Sequence, residues 1–254
     1  MKTGMSWLYA FLVAGIIASV PLSSRAQEQS SPFDAVQKEA LEKIIRDYLM
    51  ENPRIIIEAV QGLEQQQRAA EAERARIALA ENREALEADA ADPIMGNPMG
   101  DVTVVEFFDY RCPYCRRMIP AMEELLESDP GVRWVFKEFP ILGPDSLYAA
   151  RAALAVEKQG AYEAFHLALM ADGFDVTKEN VDRVVESLSL NKAQFEADLV
   201  SAEIEGMLAK NHALAGQLGI NGTPAFVVGN TLLPGAVSLA QLRQAIQLAR
   251  DTKS

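Results

Sequence analysis

The segment 102–115 places a strand directly before a pair of cysteines. Its first half is rich in β-branched and aromatic residues, with apolar side chains on both alternating faces. One face carries Val102, Val104 and Phe108, and the other carries Thr103, Val105 and Phe107. This pattern predicts a strand covered on both faces, deep in a mixed or parallel sheet.

Cys112 and Cys115 follow this strand and are the only cysteines of the chain. Apolar residues then recur at spacings of three and four, which predicts a helix that begins at or just after Cys112, with a kink at Pro120. A strand that delivers a Cys-x-x-Cys pair to the start of a helix is the thioredoxin arrangement. A disulfide between cysteines three positions apart closes almost no loop and stabilises little. The pair is therefore predicted to serve chemistry.

The N-terminus predicts a cleaved signal peptide over residues 1–26. Lys2 precedes a short apolar run, 7–20, and Ser24 and Ala26 fit the cleavage site. The competing interpretation, a membrane anchor, is disfavoured because a span needs about 20 apolar residues. Export implies a periplasmic location, where thiols are oxidised. Cleavage removes Lys2 and Arg25 and no acids, so the net charge moves from −12 to −14, which disfavours nucleic acid and anionic lipid as partners.

Residues 27–91 are predicted to form a helical extension. Helical spacing covers 33–50 and 55–63, with a break at Asn52-Pro53. The segment 65–90 is helical by propensity but offers little to bury. The apolar stripes need a partner, either the main domain or a second copy of the chain. Self-association is favoured over a solvated spacer, because the exposed run 55–57 (three isoleucines) would be costly.

A boundary at 89–100, rich in Pro and Gly, precedes the main domain, 92–254. The domain is predicted to begin with the strand 102–108, and a helical insertion to span about 145–218. The remaining elements are strands at 132–139, 224–228 and 231–233 and helices at 146–160, 161–171, 179–188, 192–218 and 239–250. This order predicts an α/β fold.

Cys112 is predicted to be the exposed nucleophile. A thiolate attacks a disulfide, and unpaired N–H groups at a helix start lower a thiol pKa from about 8.5 to between roughly 3.5 and 7.5. Cys115, one turn further, is predicted to resolve the mixed disulfide.

Other uses of Cys-x-x-Cys are haem attachment and metal binding. Arg116 stands where haem attachment needs His. A closed zinc site needs four ligands, and His166 and His212 are far apart in helical patterns. Two thiolates could still hold copper(I), so that alternative stays open. No resident cofactor or metal is predicted.

Glu106 lies within the apolar strand, where a carboxylate is costly to bury unless it is paired or neutral. Burial should raise its pKa and let it exchange a proton with Cys115. Lys137, in the neighbouring strand, is a candidate ion partner, unless both residues lie near strand ends and reach water. For Thr223-Pro224, composition predicts a trans bond, because only about one X–Pro bond in twenty is cis in folded proteins.

Several motifs in order resemble the DsbA-like branch of the thioredoxin superfamily, over roughly residues 90–252. They are Glu106, Cys112-Pro113-Tyr114-Cys115, Lys137-Glu138-Phe139-Pro140 and Gly222-Thr223-Pro224. The resemblance implies a thioredoxin fold with an inserted helical subdomain and a cis bond before Pro224. It also implies that the Thr223 backbone lies beside Cys112, and that Pro113, Tyr114, Thr223 and Pro224 contact the substrate.

The Pro113-Tyr114 pair and the extension with Glu51-Asn52-Pro53 look more like the ScsC group, whose members with such an extension form trimers and reshuffle disulfides. The resemblance implies a homo-oligomeric disulfide isomerase or reductase acting on exported proteins, with a membrane redox partner of the DsbD or DsbB type. Two alternatives remain open: a monomeric DsbA-like oxidase and a copper(I)-binding tolerance protein.

Overall fold

The computed structural model describes residues 32–252, and the predicted signal peptide, 1–26, lies outside them. The chain divides into two compact units between Gln61 and Gly62. Within the described range, no helix combines the length and apolar character that a membrane span requires.

The first unit contains helix α1 (Ala35–Glu51) and the beginning of α2 (Arg54–Glu81). Asp34 caps α1 and forms a reciprocal capping box with Gln37, which satisfies two otherwise unpaired N–H groups. The break predicted at Asn52-Pro53 is confirmed. No residue of α1 is buried, so its apolar stripe faces solvent in the single chain.

A mixed five-stranded sheet forms the centre of the second unit, in the order β1-β3-β2-β4-β5. The strands are β1 (Ile94–Gly96), β2 (Val102–Phe108), β3 (Val132–Glu138), β4 (Ala225–Val228) and β5 (Thr231–Pro234). Only the β2–β3 pair is parallel among these. The predicted central strand is confirmed, but β1 corrects the expectation that the sheet begins at 102. It lies in the segment interpreted as a boundary, because a three-residue strand among Pro and Gly has no periodic pattern.

Helices surround this sheet and form the insertion between β3 and β4. In chain order they are α3 (Arg83–Glu87), α4 (Pro113–Arg116), α5 (Ile119–Ser128), α6 (Pro144–Glu157), α7 (Tyr162–Met170), α8 (Lys178–Ser187), α9 (Lys192–Leu199), α10 (Ala202–Gln217) and α11 (Leu239–Asp251). This is the thioredoxin-like fold with an inserted helical subdomain that the sequence led us to expect.

Two predicted helices are each divided in two. The helix after Cys112 breaks before Ile119, so Pro120 lies in the first turn of α5, where its missing N–H costs nothing. The helix predicted over 192–218 breaks at Ser201, whose side chain accepts a hydrogen bond from the Ile204 N–H and caps α10.

The two faces of β2 belong to two different hydrophobic clusters. Val104 and Phe108 pack into the larger cluster with α5–α7 and α11, and Val105 and Phe107 pack into a smaller one. The smaller cluster also contains Leu79 of α2 and Leu86 of α3, which are 2% and 1% exposed. The expectation that 65–90 offers little to bury was therefore wrong for its second half.

Candidate functional site

The cysteine pair lies in the turn that leaves β2 and in the single turn of α4. Cys112 is the N-cap of α4, and Pro113 occupies the first helical position, where its fixed φ suits the helix. The Cys112 N–H donates to the Asp109 carbonyl at 2.9 Å. Both cysteines are free thiols. Cys112 is 4% exposed, which corrects the expectation of an exposed nucleophile. The two residues between the cysteines, Pro113 and Tyr114, are the exposed part of the motif.

Hydrogen bonds around Cys112 favour its thiolate. They lower its pKa to about 5: the bond from the Cys115 thiol contributes most, and burial, the next largest effect, opposes it. The Thr223 side chain and the backbone N–H groups of Cys115 and Tyr114 add to the lowering. As a thiol, Cys112 Sγ donates instead to the Thr223 carbonyl at 3.2 Å, so ionisation exchanges that bond for bonds from these donors.

Cys115 has the opposite environment. Burial, its hydrogen bond to Cys112 and the nearby negative charge of Glu106 raise the pKa of its thiol. The backbone of Asp109 bonds to this sulfur and offsets part of the rise. The site therefore holds one sulfur that ionises readily beside one that stays protonated.

Glu106 is buried on the Val104 and Phe108 face of β2 and accepts a hydrogen bond from Trp134 Nε1 at 3.1 Å. Burial raises its pKa to about 8, the Trp134 bond opposes this, and the charge of Cys112 adds to it. The predicted rise of the pKa is confirmed. Its proton exchange with Cys115 stays a prediction.

Lys137 is not the ion partner of Glu106. In the parallel pairing of β2 and β3, Glu106 faces Phe136 and Lys137 faces Phe107, so the two side chains project from opposite faces of the sheet. Lys137 instead forms a buried ion pair with Asp92 and donates to the Ala85 carbonyl at 2.6 Å. These two interactions attach α3 and the segment before β1 to the sheet, away from the sulfurs.

The Thr223–Pro224 peptide bond is cis, so the composition-based expectation of a trans bond was wrong. The placement of the Thr223 backbone beside Cys112, implied by the resemblance, agrees with the 3.2 Å contact. Thr223 and Pro224 also line a groove of about 320 Å³ that reaches Leu232 of β5. Tyr114 lies outside that groove, with the Arg117 guanidinium 4.6 Å from its ring centre.

Sequence reasoning missed two buried carboxyl groups next to the site. Asp109 lies in the turn before Cys112, where both of its carboxylate oxygens accept hydrogen bonds. Glu138 accepts from the Tyr110 and Tyr162 hydroxyls, and burial raises its pKa. An acidic residue at the end of a buried strand was the available signal for both.

His166, interpreted as an ordinary helix residue, is buried beside Tyr110, and burial lowers its pKa to about 3.

The fold and this site define a thioredoxin-fold protein with a Cys-Pro-Tyr-Cys dithiol. The model of the DSBA-like thioredoxin domain matches residues 103–247, and that of the copper resistance protein ScsC N-terminal domain matches 37–70. The chain therefore belongs to the DsbA-like thioredoxin domain family and carries an ScsC-type N-terminal region.

Solved structures of related proteins cover most of the chain. A linker-deletion mutant of Proteus mirabilis ScsC is 32% identical, covering 88% of this chain and 99% of that one, with a TM-score of 0.66. A thioredoxin-like oxidoreductase from Silicibacter pomeroyi is 48% identical, covering 67% and 98% respectively, with a TM-score of 0.65.

Curated relatives align over part of the chain. The Na⁺/H⁺ antiporter NhaA 3 of Salinispora tropica is 32% identical over 62% of this chain and 24% of its own length, so the chain spans about a quarter of that relative. The probable disulfide bond formation protein D of Bacillus anthracis is 30% identical over 57% of this chain and 73% of its own length.

Proposed function

We propose that this chain is a periplasmic thiol–disulfide oxidoreductase that acts on the cysteines of exported proteins, as a disulfide isomerase or reductase. The observation that carries the proposal is the pairing of Cys112, whose pKa is lowered to about 5, with the protonated Cys115. The name of the Bacillus anthracis relative agrees with disulfide chemistry on proteins, and the predicted signal peptide agrees with export.

Reduction of a client disulfide takes two exchanges. The Cys112 thiolate attacks one sulfur of the client disulfide, forms a mixed disulfide and releases the other client sulfur as a thiolate. Cys115 then loses its proton and attacks Cys112 Sγ, which releases the second client thiolate and leaves a Cys112–Cys115 disulfide. The client gains two electrons and the dithiol loses two. In isomerisation, another client thiol resolves the mixed disulfide and restores the Cys112 thiolate.

Glu106 is the proton acceptor that this second exchange needs. Its charge raises the pKa of Cys115, and its own pKa, about 8, lies close to neutral pH. A group with such a pKa both takes and returns a proton under periplasmic conditions. In the reverse direction, the protonated Glu106 donates to Cys115 as that sulfur leaves.

The groove beside Thr223 and Pro224 suits an extended polypeptide. Its wall includes Leu232 and Pro234 of β5, one of the two edge strands of the described sheet, and unpaired backbone groups at a sheet edge can accept an added strand. Pro113 and Tyr114 border Cys112 on the exposed side. Pro113, Tyr114, Thr223 and Pro224 are the proposed client contacts. None of these contacts requires a particular amino-acid sequence in the client.

The N-terminal helices are the proposed site of self-association. In α1 and the first turns of α2, most of the large apolar residues are exposed, including Val36, Ile44, Ile45, Ile56 and Ile57. So many exposed apolar side chains on two successive helices favour an interface. A homo-oligomer covers these helices with copies of themselves and presents several dithiol sites to one client. A membrane redox partner would then reset the cysteine pair. One of the DsbD type would supply two electrons and restore the dithiol of an isomerase or reductase, whereas one of the DsbB type would remove two electrons and restore the disulfide in the oxidase alternative.

Scrambled ribonuclease tests the chemistry. The reduced full-length mature protein should restore ribonuclease activity, and Cys112→Ser should abolish this. Retained activity in Cys112→Ser contradicts the proposal, and efficient oxidation of reduced ribonuclease without reshuffling favours the oxidase alternative. Copper(I) titration of the reduced protein, beside this assay, addresses the tolerance-protein alternative.

Light scattering tests the assembly. The parent should have a multiple of the single-chain mass, and the double variant Ile44→Glu, Ile45→Glu should have the single-chain mass. Glu39→Gln, exposed on the same helix, is the control and should retain the parent mass. A parent of single-chain mass contradicts the proposed oligomer.

A further inference from the structure

Asp109 is a buried carboxylate at the turn that carries Cys112. It is 1% exposed, and each of its two oxygens accepts two hydrogen bonds. Oδ1 accepts from the Arg111 N–H at 2.8 Å and the Ser146 hydroxyl at 2.7 Å. Oδ2 accepts from the Ile141 N–H at 2.8 Å and the Leu142 N–H at 2.9 Å.

These bonds join two segments that are distant in sequence. Arg111 lies in the cysteine turn, whereas Ile141 and Leu142 lie in the loop after β3, and Ser146 lies in the first turn of α6. The Arg111 guanidinium adds a bond to the Leu142 carbonyl at 3.1 Å. The Asp109 side chain therefore attaches the loop after β3 and the start of α6 to the cysteine turn, and the Arg111 side chain adds to this attachment.

The main chain of Asp109 contacts both cysteines. Its carbonyl accepts the Cys112 N–H at 2.9 Å, and its backbone bonds to the Cys115 sulfur. A displacement of this residue would therefore move both sulfurs relative to each other and to the Thr223 carbonyl.

We propose that Asp109 is the positioning residue of the dithiol site: its carboxylate fixes the cysteine turn to the loop 141–142 and to α6, and its main chain aligns the two sulfurs. This inference rests on the proposed disulfide exchange and names the residue that holds its geometry. The Cys112 thiolate depends on aligned donors from Cys115, Tyr114 and Thr223, so loosening the turn weakens them together.

The other groups that act on the sulfurs are distinct from Asp109. Glu106 is the nearby carboxyl group whose charge affects Cys115. The guanidinium groups of Arg111 and Arg116 donate to the Leu142 and Phe174 carbonyls. Asp109→Asn also removes a negative charge, which alone would favour the Cys112 thiolate and lower the alkylation midpoint. A rise in the midpoint therefore reports the position of the turn.

The test is Asp109→Asn in the full-length reduced protein, which keeps the side-chain shape but places an NH₂ group against donors. The rate of Cys112 alkylation by iodoacetamide is measured against pH, and the equilibrium with glutathione is measured separately. We expect the alkylation midpoint to rise by about one pH unit, a tenfold change in ionisation. The glutathione equilibrium should shift about tenfold toward the protein disulfide, because the dithiol form loses the same stabilisation.

Asp92→Asn is the matched control, since Asp92 is also a buried aspartate but pairs with Lys137, whose side chain projects from the sheet face opposite to Glu106. It should leave the midpoint unchanged. Ser146→Ala, which removes one donor from Oδ1 and leaves the backbone intact, should shift the midpoint in the same direction by less. If Asp109→Asn does not fold, Ser146→Ala tests whether Asp109 positions the cysteine turn.

A folded Asp109→Asn protein with the parent midpoint and glutathione equilibrium overturns the proposal, as does an equal shift in Asp92→Asn. If Asp109→Asn does not fold, an unchanged midpoint in Ser146→Ala overturns it. The alkylation measurement needs no client. A parent that fails to reshuffle ribonuclease therefore contradicts the proposed function and leaves the positioning result readable.

Discussion

Replacement of Glu106 by Gln should raise the stability of the protein at neutral pH while it lowers the activity. The carboxyl has a pKa of about 8 in the folded protein against an ordinary value of 4.5, chiefly because it is buried. Below pH 4.5 both folded and unfolded chains keep the proton, so the group has no pH-dependent effect. Between these two values the unfolded chain releases the proton and the folded chain retains it, so stability falls as pH rises.

The size of this effect follows from the two pKa values. Each pH unit in the window between 4.5 and about 8 removes about 1.4 kcal/mol of stability. At pH 7 the loss is about 3 kcal/mol relative to a side chain that does not titrate. Gln keeps an oxygen for the Trp134 Nε1–H and has no proton to lose. We therefore expect Glu106→Gln to be more stable than the parent at pH 7, with a gain that shrinks toward pH 5.

Urea unfolding of the reduced proteins at pH 5, 6, 7 and 8 measures this difference directly. Glu124→Gln, a substitution on the surface, is the control and should show no such pH dependence. In the oxidised proteins the gain should be smaller, because the Cys112 thiolate no longer raises the pKa of Glu106. A stability difference that stays constant from pH 5 to 8 would refute the assignment of a raised pKa to Glu106.

The same variant should lose activity while it gains stability. Cys115 keeps its proton without an acceptor, so the mixed disulfide on Cys112 should persist and resolve about 100-fold more slowly, within the usual range for general acid–base catalysis. Acid quenching and mass spectrometry of the mixed disulfide measure this step. Resolution at the parent rate would show that the proton leaves by another route.

Two further predictions concern parts of the fold that support the site. Leu79→Ala and Leu86→Ala should each lower the free energy of unfolding by roughly 2–5 kcal/mol, because both side chains are buried in the smaller cluster. Ile77→Ala, at an exposed position, is the control and should change the free energy of unfolding little. Equal effects of the three substitutions in urea unfolding would contradict the assigned packing. Lys137→Met should destabilise the protein by roughly 3 kcal/mol, because it leaves Asp92 buried without its cation. The double variant Lys137→Met, Asp92→Asn should recover most of this lost stability. The alkylation midpoint of Cys112 should be unchanged in both, and a shift would mean that Lys137 acts on the sulfurs after all.

The central strand and the cysteine pair could be predicted because their signals are local. The alternation of apolar residues along β2 determines which of its faces each residue occupies, and the spacing of Cys112 and Cys115 fixes them one turn apart. The raised pKa of Glu106 followed from the same local pattern, since a carboxyl between apolar neighbours on a doubly covered strand has no route to water.

The errors arose where the outcome depends on pairing between distant segments. The sequence does not determine how β2 and β3 pair residue by residue, so it could not show that Lys137 and Glu106 lie on opposite faces of the sheet. Leu79 and Leu86 are isolated leucines in an Ala- and Glu-rich segment, and only the docking of that segment buries them. The donors that surround Asp109 come mostly from a distant loop and from α6, so no spacing rule could find them.

The pH dependence of thiol alkylation in the reduced protein, with the modified cysteine identified by mass spectrometry, shows which sulfur is the ionised nucleophile. Cys112 should react first, with a midpoint near pH 5, and Cys115 should remain unmodified until far more alkaline pH. Initial modification of Cys115, or a Cys112 midpoint near that of a free thiol at about pH 8.5, would contradict this prediction.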